Sequence, residues 1–196
     1  MQELALLMEA GGVDARDEEL IRLVRQAKAG DTAAFEAILV RYQRQVLLTA
    51  LRLLNRNLED AKDAAQQVFL RLHRSLHQLD ENRHFASWLY RITVNVCRDM
   101  LRARRPALSL EEAGEVAAAA GEDTIQQDEQ RRVIYAALAT LPERERTAVV
   151  LRDLEGLTTS EVARIMGRSE VTVRSQISNA RVKIRKFVIR RQRRPL

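Results

Sequence analysis

Apolar residues recur every three or four positions along most of the chain, which is the spacing that lines one face of an α-helix. In the first half of the chain this pattern predicts four helices. The first spans about residues 18–29, and Gly30 suits the position that follows a helix end. Asp31 can cap the start of the second helix, which continues to about residue 54.

The third and fourth predicted helices lie on either side of a polar stretch. Asn57 can cap the third helix, and the polar residues 78–84 that follow it predict a loop. The fourth helix spans about residues 85–104. Its predicted buried face comprises Phe85, Trp88, Leu89, Ile92, Val96 and Met100. Because Trp88 shares this apolar spacing, it is favoured as a core residue over a base-stacking one.

Four further helices are predicted from about Ile125 onward. Pro142 suits the first position of the second of them, which stops at Gly156. The last two lie within residues 158–181, TTSEVARIMGRSEVTVRSQISNAR. This segment combines a short helix, a turn containing Gly167 and a second helix, which are the parts of a helix-turn-helix.

The local chemistry of residues 158–181 fits that motif. Thr158 and Glu161 have the spacing of a capping box, and Ser169 can cap the second helix. Ala163 is small where the two helices must approach closely. The predicted shared core comprises Val162, Ile165, Met166, Val173 and Ile177.

The stretch 104–129 separates the two helical halves. Pro106 cannot continue a helix, and two glycines and many carboxylates disfavour one beyond it. We therefore predict an all-α fold of two small helical domains, a four-helix domain and a helix-turn-helix domain, joined by a flexible acidic linker. The predicted divisions are an N-terminal extension over 1–19, a first domain over 20–105, a linker over 106–124 and a second domain over 125–196.

Charge is segregated along the chain in the same way. Residues 20–105 contain sixteen basic and eight acidic side chains, and residues 131–196 contain sixteen basic and six acidic ones. By contrast, residues 109–130 contain seven acidic side chains and no basic one, and residues 1–19 carry a net charge of −5. Basic surface attracts phosphate, so both helical halves are candidates for nucleic-acid binding, although solvated helix faces would give the same counts.

Composition narrows the class of protein further. The low aromatic content of 4% and the presence of only seven Gly and three Pro favour long helices. The single cysteine, Cys97, excludes an internal disulfide and fits a reducing cytosol. We also expect no membrane insertion and no secretory signal, since no stretch reaches the ~20 apolar residues of a membrane span and the N-terminus lacks a basic region.

Two stretches carry chemistry suited to DNA. In the second helix of residues 158–181, Arg and Gln side chains can hydrogen-bond guanine and adenine, and short hydroxyl groups can reach phosphates. An ordinary basic helical hairpin remains the alternative. The stretch 82–105 combines a polar loop with an arginine-rich helix, which suits melted DNA whose phosphates follow the arginines while the loop holds an extruded base.

These features together resemble the extracytoplasmic-function (ECF) sigma factors, the smallest class of bacterial sigma factor, over about residues 20–190. Residues 30–54 are similar to conserved region 2.1, residues 59–76 to region 2.2, residues 85–105 to regions 2.3 and 2.4, and residues 141–185 to region 4. The sequence WLYRI followed by Asn95 and Asp99 is the most specific part. The resemblance implies a transcription initiation factor that performs no catalysis.

The resemblance also implies three sets of functional residues. Binding to core RNA polymerase is assigned to Asp60, Asp63, Gln66, Gln67, Phe69 and Leu70. Recognition and melting of the −10 promoter element are assigned to Asn82, Arg83, His84, Arg91, Asn95, Arg98 and Arg102. Recognition of the −35 element is assigned to Arg168, Ser169, Thr172, Arg174, Ser175, Gln176, Asn179 and Arg181.

Several positions depart from the family pattern. Lys62 and Gln67 stand where Glu is usual, and the run from Val171 to Gln176 replaces a frequent Gly-Thr-Val-Lys-Ser-Arg. Gln176 and Asn179 replace frequent arginines. The usual −35 sequence preference is therefore not carried over to this chain.

The partners implied by the resemblance are core RNA polymerase, through its β′ clamp helices and β flap, promoter DNA and an anti-sigma factor. The implied location is the cytoplasm, or the inner face of the membrane where the anti-sigma factor is membrane-bound. No cofactor and no metal are expected.

Two other interpretations are open from the residues alone. A metal site could use His73 and His77, four residues apart, with His84 or Cys97, but a zincin motif is lacking because Arg74 follows His73. A stand-alone helix-turn-helix regulator would explain the second domain and leave the first unexplained. No nucleophile–base pair or phosphate-binding glycine loop supports an enzyme.

Overall fold

The computed structural model describes residues 18–79, 85–104 and 125–192, with side chains given for 18–79, 85–104 and 132–191. Throughout these ranges the regular elements are helices, and no strand occurs among them. The all-α prediction is confirmed. The predicted linker, residues 1–17 of the predicted N-terminal extension and residues 80–84 of the loop predicted over 78–84 lie outside the described residues. Residues 18 and 19 belong to the first helix, and residue 78 ends a 3₁₀ turn.

The first domain contains four helices. They are α1 (18–28), α2 (Thr32–Leu53), α3 (Leu58–Ser75), which continues as a 3₁₀ turn (Leu76–Gln78), and α4 (Phe85–Arg104). The predicted caps are present: Asp31 Oδ1 accepts a hydrogen bond from Ala34 N, and Asn57 Oδ1 accepts one from Asp60 N, both at 3.1 Å. Gly30 adopts a positive φ of 96°, as a residue after a helix end often does.

The core of the first domain forms where the apolar stripes of α2, α3 and α4 meet. Its most enclosed side chains are Ile38, Val68, Leu72, Val96 and Cys97. Trp88 is half-buried, with its ring 6.3 Å from that of Phe85, so it packs at the edge of this core as predicted.

The second domain also contains four helices. They are α5 (Ile125–Ala139), α6 (Glu143–Val149), which continues as a π-helical segment (Val150–Leu154), α7 (Thr159–Met166) and α8 (Glu170–Gln192). Pro142 occupies the N-cap position, one residue before the first residue of α6, which corrects the predicted position by one. The sequence did not predict the π-helical segment.

The two domains pack directly against each other, with α4 against α7 and α2 against α6. Arg146 of α6 is central to this contact. Its residue is 7% exposed, and its guanidinium donates to Leu53 O at 3.0 Å, to Leu141 O at 2.9 Å, to Ala139 O at 3.3 Å and to the side chain of Asn55. The carbonyls of Leu53 and Ala139 lie at the ends of α2 and α5, where helix dipoles favour a cation.

Burial lowers the pKa of Arg146, but an arginine remains charged at any ordinary pH. A buried charge is costly unless it is hydrogen-bonded, and here the two terminal nitrogens of the guanidinium find acceptors in both domains, whereas Nε has no partner among the described residues. Arg146 therefore links the C-terminal end of α2 to the turn before its own helix.

We predict that Arg146→Lys lowers the free energy of unfolding by about 1.5–3 kcal/mol, the range for lost hydrogen bonds to a charged group. A lysine keeps the charge, but its single ammonium group cannot donate to the same set of carbonyls as the planar guanidinium. Urea unfolding followed by circular dichroism measures the change. Arg144→Lys on the exposed side of α6 is the matched control and should change stability little. Equal stability of the two variants would contradict the role given to Arg146.

Candidate DNA-binding and polymerase-binding surfaces

The helix-turn-helix is built from α7 and α8. Thr158 and Glu161 form the predicted capping box: Glu161 N donates to Thr158 Oγ1 at 3.2 Å, and Thr158 N donates to Glu161 Oε2 at 2.8 Å. Gly167 ends α7 in the left-handed conformation with φ of 63°, which favours glycine. The predicted core residues Val162, Ile165, Val173 and Ile177 are buried, and Met166 packs beside them.

The capping box also sets the protonation state of its carboxyl group. Hydrogen bonds from the backbone and hydroxyl of Thr158 lower the pKa of Glu161. Because the folded-state pKa is below that of the unfolded chain, this stabilisation is present above the unfolded-state pKa and is lost as the pH falls through the folded-state pKa. The start of α7 is therefore stable at neutral pH.

The first turn of α8 is exposed and capped. Ser169 Oγ accepts a hydrogen bond from Thr172 N at 3.2 Å and lies 2.8 Å from Thr172 Oγ1. Arg168, Ser169 and Thr172 are all exposed. In a helix-turn-helix the first residues of the second helix are the ones that reach base edges, so these three lie where DNA contact is expected.

Two of the predicted −35 arginines are held by carboxylates within the second domain. Arg174 donates to Glu170 at 2.9 Å, and Arg181 donates to both carboxylate oxygens of Asp153, at 2.6 and 2.9 Å. These hydrogen bonds raise the pKa of Arg181. Because both arginines are exposed, water and salt screen the pairs and leave the guanidinium groups accessible to phosphate.

The other predicted −35 residues differ in their accessibility. Ser175 and Asn179 are exposed, whereas Gln176 is half-buried. Its amide oxygen is buried without a hydrogen-bond partner among the described residues. Gln176 therefore lies at the boundary of the core and not on the outward face of α8.

The predicted −10 surface lies along α4. Arg91 and Arg102 are exposed, and Asn95 is half-buried with its Oδ1 accepting a hydrogen bond from Arg98 at 2.7 Å. Asn82, Arg83 and His84 lie outside the described residues.

A cleft of about 500 Å³ lies between α4 and the helix-turn-helix domain. Four arginines line it: Arg98, Arg102, Arg144 and Arg168. The two domains thus bring predicted −10 and −35 residues to one basic cleft.

The predicted polymerase surface is the outward face of α3. Asp63, Gln66, Gln67 and Leu70 are exposed and Phe69 is half-buried, which gives a polar face around one apolar side chain. Asp60 differs because it is buried and its carboxylate pairs with Arg104.

Cys97 and His73, two of the residues considered for a metal site, make packing contacts in this structure. Burial raises the pKa of the Cys97 thiol to about 12, so the thiol is protonated at neutral pH. The ring of His73 contacts Phe35 edge-on, with centroids 4.9 Å apart. Within residues 18–79, 85–104 and 125–192 no three His, Cys, Asp or Glu residues lie close enough to hold a metal ion.

The hydropathy of the described helices bears on membrane insertion. None of the described helices is both long and apolar enough to cross a membrane.

One group important to the arrangement escaped the sequence analysis. The side chain of Glu155, at the end of the π-helical segment, is 5% exposed and accepts hydrogen bonds from three residues of the first domain. The donors are Tyr90 at 2.8 Å, Thr49 at 2.7 Å and Arg52 at 2.6 Å. Burial and the adjacent Glu155 carboxylate raise the pKa of Tyr90, so its phenol remains a donor. Periodicity offered no signal for a contact over such sequence separation.

The fold and the charge together define a two-domain helical protein with a DNA-binding helix-turn-helix. Both domains also match known protein families. Residues 38–106 match the family described as sigma-70 region 2, and residues 131–184 match sigma-70, region 4.

Curated relatives give a closer assignment. The ECF RNA polymerase sigma factor SigM of Mycobacterium tuberculosis (strain H37Rv) is 36% identical over 162 residues, which cover 82% of this chain and 80% of the relative. The ECF RNA polymerase sigma-E factor of Escherichia coli (strain K12) is 34% identical over 171 residues, covering 81% and 88%. The chain belongs to the ECF RNA polymerase sigma factors.

Solved structures share the fold. CnrH in complex with the cytosolic domain of CnrY is 26% identical, with a TM-score of 0.65 and coverage of 87% of this chain and 97% of that one. The sigma factor RpoE from Bartonella quintana, in complex with the anti-sigma factor NepR, has a TM-score of 0.64 at 20% identity, covering 79% and 96%.

We predict that Thr158→Ala destabilises the protein by about 1 kcal/mol, because it removes the acceptor at the start of α7. Thr158 is exposed, so the change leaves no core cavity. Thr158→Ser keeps the hydroxyl and is the matched control. Thermal unfolding should separate the alanine variant from both the serine variant and the unsubstituted protein, and similar midpoints for all three would contradict the role of the cap.

Proposed function

We propose that this chain binds core RNA polymerase and directs promoter-specific initiation, reading the −10 element with its first domain and the −35 element with its second. The observation that carries the proposal is the pairing of two basic helical surfaces, on α4 and α8, with an exposed mixed face on α3. DNA binding alone would not require the α3 face. It would also leave the exposed apolar side chain of that face, Leu70, without a role.

At the −10 element, Arg91, Arg98 and Arg102 would hold the phosphates of a melted strand. The loop residues Asn82, Arg83 and His84, with Asn95, would form the pocket for an extruded base. Extrusion of a base costs a few kcal/mol, which phosphate contacts and the pocket would offset. Support comes from the exposure of Arg91 and Arg102 on one helix and from the basic cleft beside them.

At the −35 element, the start of α8 would enter the major groove. Arg168, Arg174 and Arg181 would contact phosphates or guanine, and the short side chains of Ser169, Thr172 and Ser175 would reach the duplex with Asn179. We assign Gln176 a secondary role, since its amide oxygen faces the core.

Polymerase would bind the outward face of α3. Interfaces of this kind combine a buried apolar centre with a polar rim. Leu70 is the exposed apolar side chain of this face, with Phe69 partly buried beside it, and Asp63, Gln66 and Gln67 form the rim. Asp60 supports the helix through its pair with Arg104.

An anti-sigma factor would control this activity, as the complex of the Bartonella quintana sigma factor with NepR suggests by analogy. The factor would then act in the cytoplasm, or at the inner face of the membrane where its regulator is anchored there. A stand-alone DNA-binding regulator is the second candidate, favoured only by the helix-turn-helix.

Promoter binding requires the domains to separate. Elements named −10 and −35 lie about 25 base pairs apart, which is roughly 85 Å of duplex at about 3.4 Å per base pair. In this structure α4 contacts α7, and Arg98 and Arg168 line the same cleft. The packed arrangement therefore cannot engage both elements at once, so the interdomain hydrogen bonds must break.

We predict that Glu155→Gln opens the unbound protein, because an amide is a weaker acceptor for Tyr90, Thr49 and Arg52 than a carboxylate. Energy transfer between labels at K62C on α3 and K186C on α8 measures the separation, since the buried Cys97 should not label. The mean transfer efficiency should fall. Glu145→Gln, which breaks only the Lys183 pair within the second domain, is the control and should leave it unchanged. Equal efficiencies would exclude Glu155 as an interdomain anchor.

Leu70→Lys tests the polymerase surface. We expect the apparent Kd for purified core polymerase to rise tenfold or more, about 1.4 kcal/mol, because a charge replaces the apolar centre of the contact. Val40→Lys changes another exposed apolar residue, on α2, and should bind like the unsubstituted protein. Thermal unfolding of both variants checks the fold. Unchanged affinity of the folded Leu70 variant would contradict the surface proposed here.

A further inference from the structure

Val171, in the first turn of α8, is the most exposed large apolar side chain in the part of the chain that the structure describes. The solvent-exposed fraction of Val171 is 73%. Scattered exposed apolar residues are common and need no explanation by themselves. The position of Val171 on α8 provides a second, independent observation.

The outward face of α8 is centred on Val171, Ser175 and Ser178. These positions follow a helical spacing of four and three residues and lie opposite the buried Val173, Ile177 and Ala180. All three outward side chains are exposed and short. A helix with this face can approach base edges closely.

Cations border this face. Arg174 and Arg181 lie along one side, and Arg168 precedes the helix. Uncharged short groups with guanidinium groups beside them fit a DNA groove, in which base edges lie next to lines of phosphates. Duplex DNA is therefore the occupant that the charge pattern favours.

In the major groove, the 5-methyl group of thymine is the apolar feature that proteins read by apolar contact. The two methyl groups of Val171 cannot hydrogen-bond the polar edges of guanine, adenine or cytosine, and burying such an edge without a partner is unfavourable. A β-branched residue also adds nothing to helix stability relative to alanine. The exposed valine thus has a chemical use on DNA and no evident use in folding.

We infer that Val171 contacts the 5-methyl group of a thymine in the −35 element and so makes this chain prefer a T·A pair at one position. The inference rests on the proposed function, in which α8 enters the major groove. Val171 is then a determinant of sequence specificity. It lies at the centre of the outward face of α8, whereas Gln176 lies at the boundary of the core.

Replacement of thymine by deoxyuracil removes only that methyl group and so provides a direct test. The promoters that holoenzyme reconstituted with this chain selects are sequenced first, to define the −35 element. Each −35 thymine is then replaced in turn by deoxyuracil, and holoenzyme affinity is measured. We expect one replacement to weaken binding about fourfold, the factor equivalent to about 0.8 kcal/mol for one buried methyl group.

Val171→Ala should remove this sensitivity to deoxyuracil while unfolding at the same or a higher temperature. Val182→Ala, at a position on the same helix that is 49% exposed and farther from its start, is the matched control and should retain it. The inference is overturned by a −35 element without thymine, by insensitivity at every thymine, or by equal sensitivity in the Val171 variant. A holoenzyme that selects no promoter at all would instead refute the proposed function.

Discussion

Two buried charged groups and a shared apolar core hold the domains of this protein together, and the basic cleft between α4 and the second domain depends on this packing. Glu155 receives three hydrogen bonds from α2 and α4, and Arg146 donates to the end of α2. A buried charge is tolerated only while its partners are in place. Arg146 would keep its acceptors Ala139 and Leu141 if the domains parted, and water would have to replace the partners that each group finds in the first domain. Buried polar contacts of this kind favour an interface that can form and dissociate, whereas a wholly apolar interface would resist separation.

The packed arrangement has an electrostatic consequence. Arg98 and Arg102 of the first domain and Arg144 and Arg168 of the second face one cleft, which Glu143 also lines. The four cations exceed this one carboxylate, so a net repulsion remains. The carboxylate pairs at Glu170 and Asp153 neutralise two further arginines on α8. A polyanion entering between the domains would relieve the repulsion in the cleft. The same charges that attract DNA therefore also weaken the packed state.

Local signals in the sequence predicted most of the helical architecture. The bounds of α4, the caps Asp31 and Asn57, and the capping box of α7 were all predicted, because each depends on residues within one or two turns. The interdomain contacts of Arg146 and Glu155 were not, because their partners lie between 65 and 106 positions away along the chain. The π-helical segment was not predicted either. On α8 the residue types suggested Gln176 as a base reader, but the rotation of the helix on its core places Val171 outward. That rotation follows from tertiary packing, which motif spacing alone does not specify.

Transcription by a purified polymerase tests the central claim most directly. Core RNA polymerase without a specificity subunit is mixed with this protein and with genomic DNA fragments, and the 5′ ends of the transcripts are sequenced. The account predicts a small set of start sites that share sequences near −10 and −35 and that are absent without the protein. Start sites equally scattered with and without the protein would contradict it, even if the second domain bound DNA tightly.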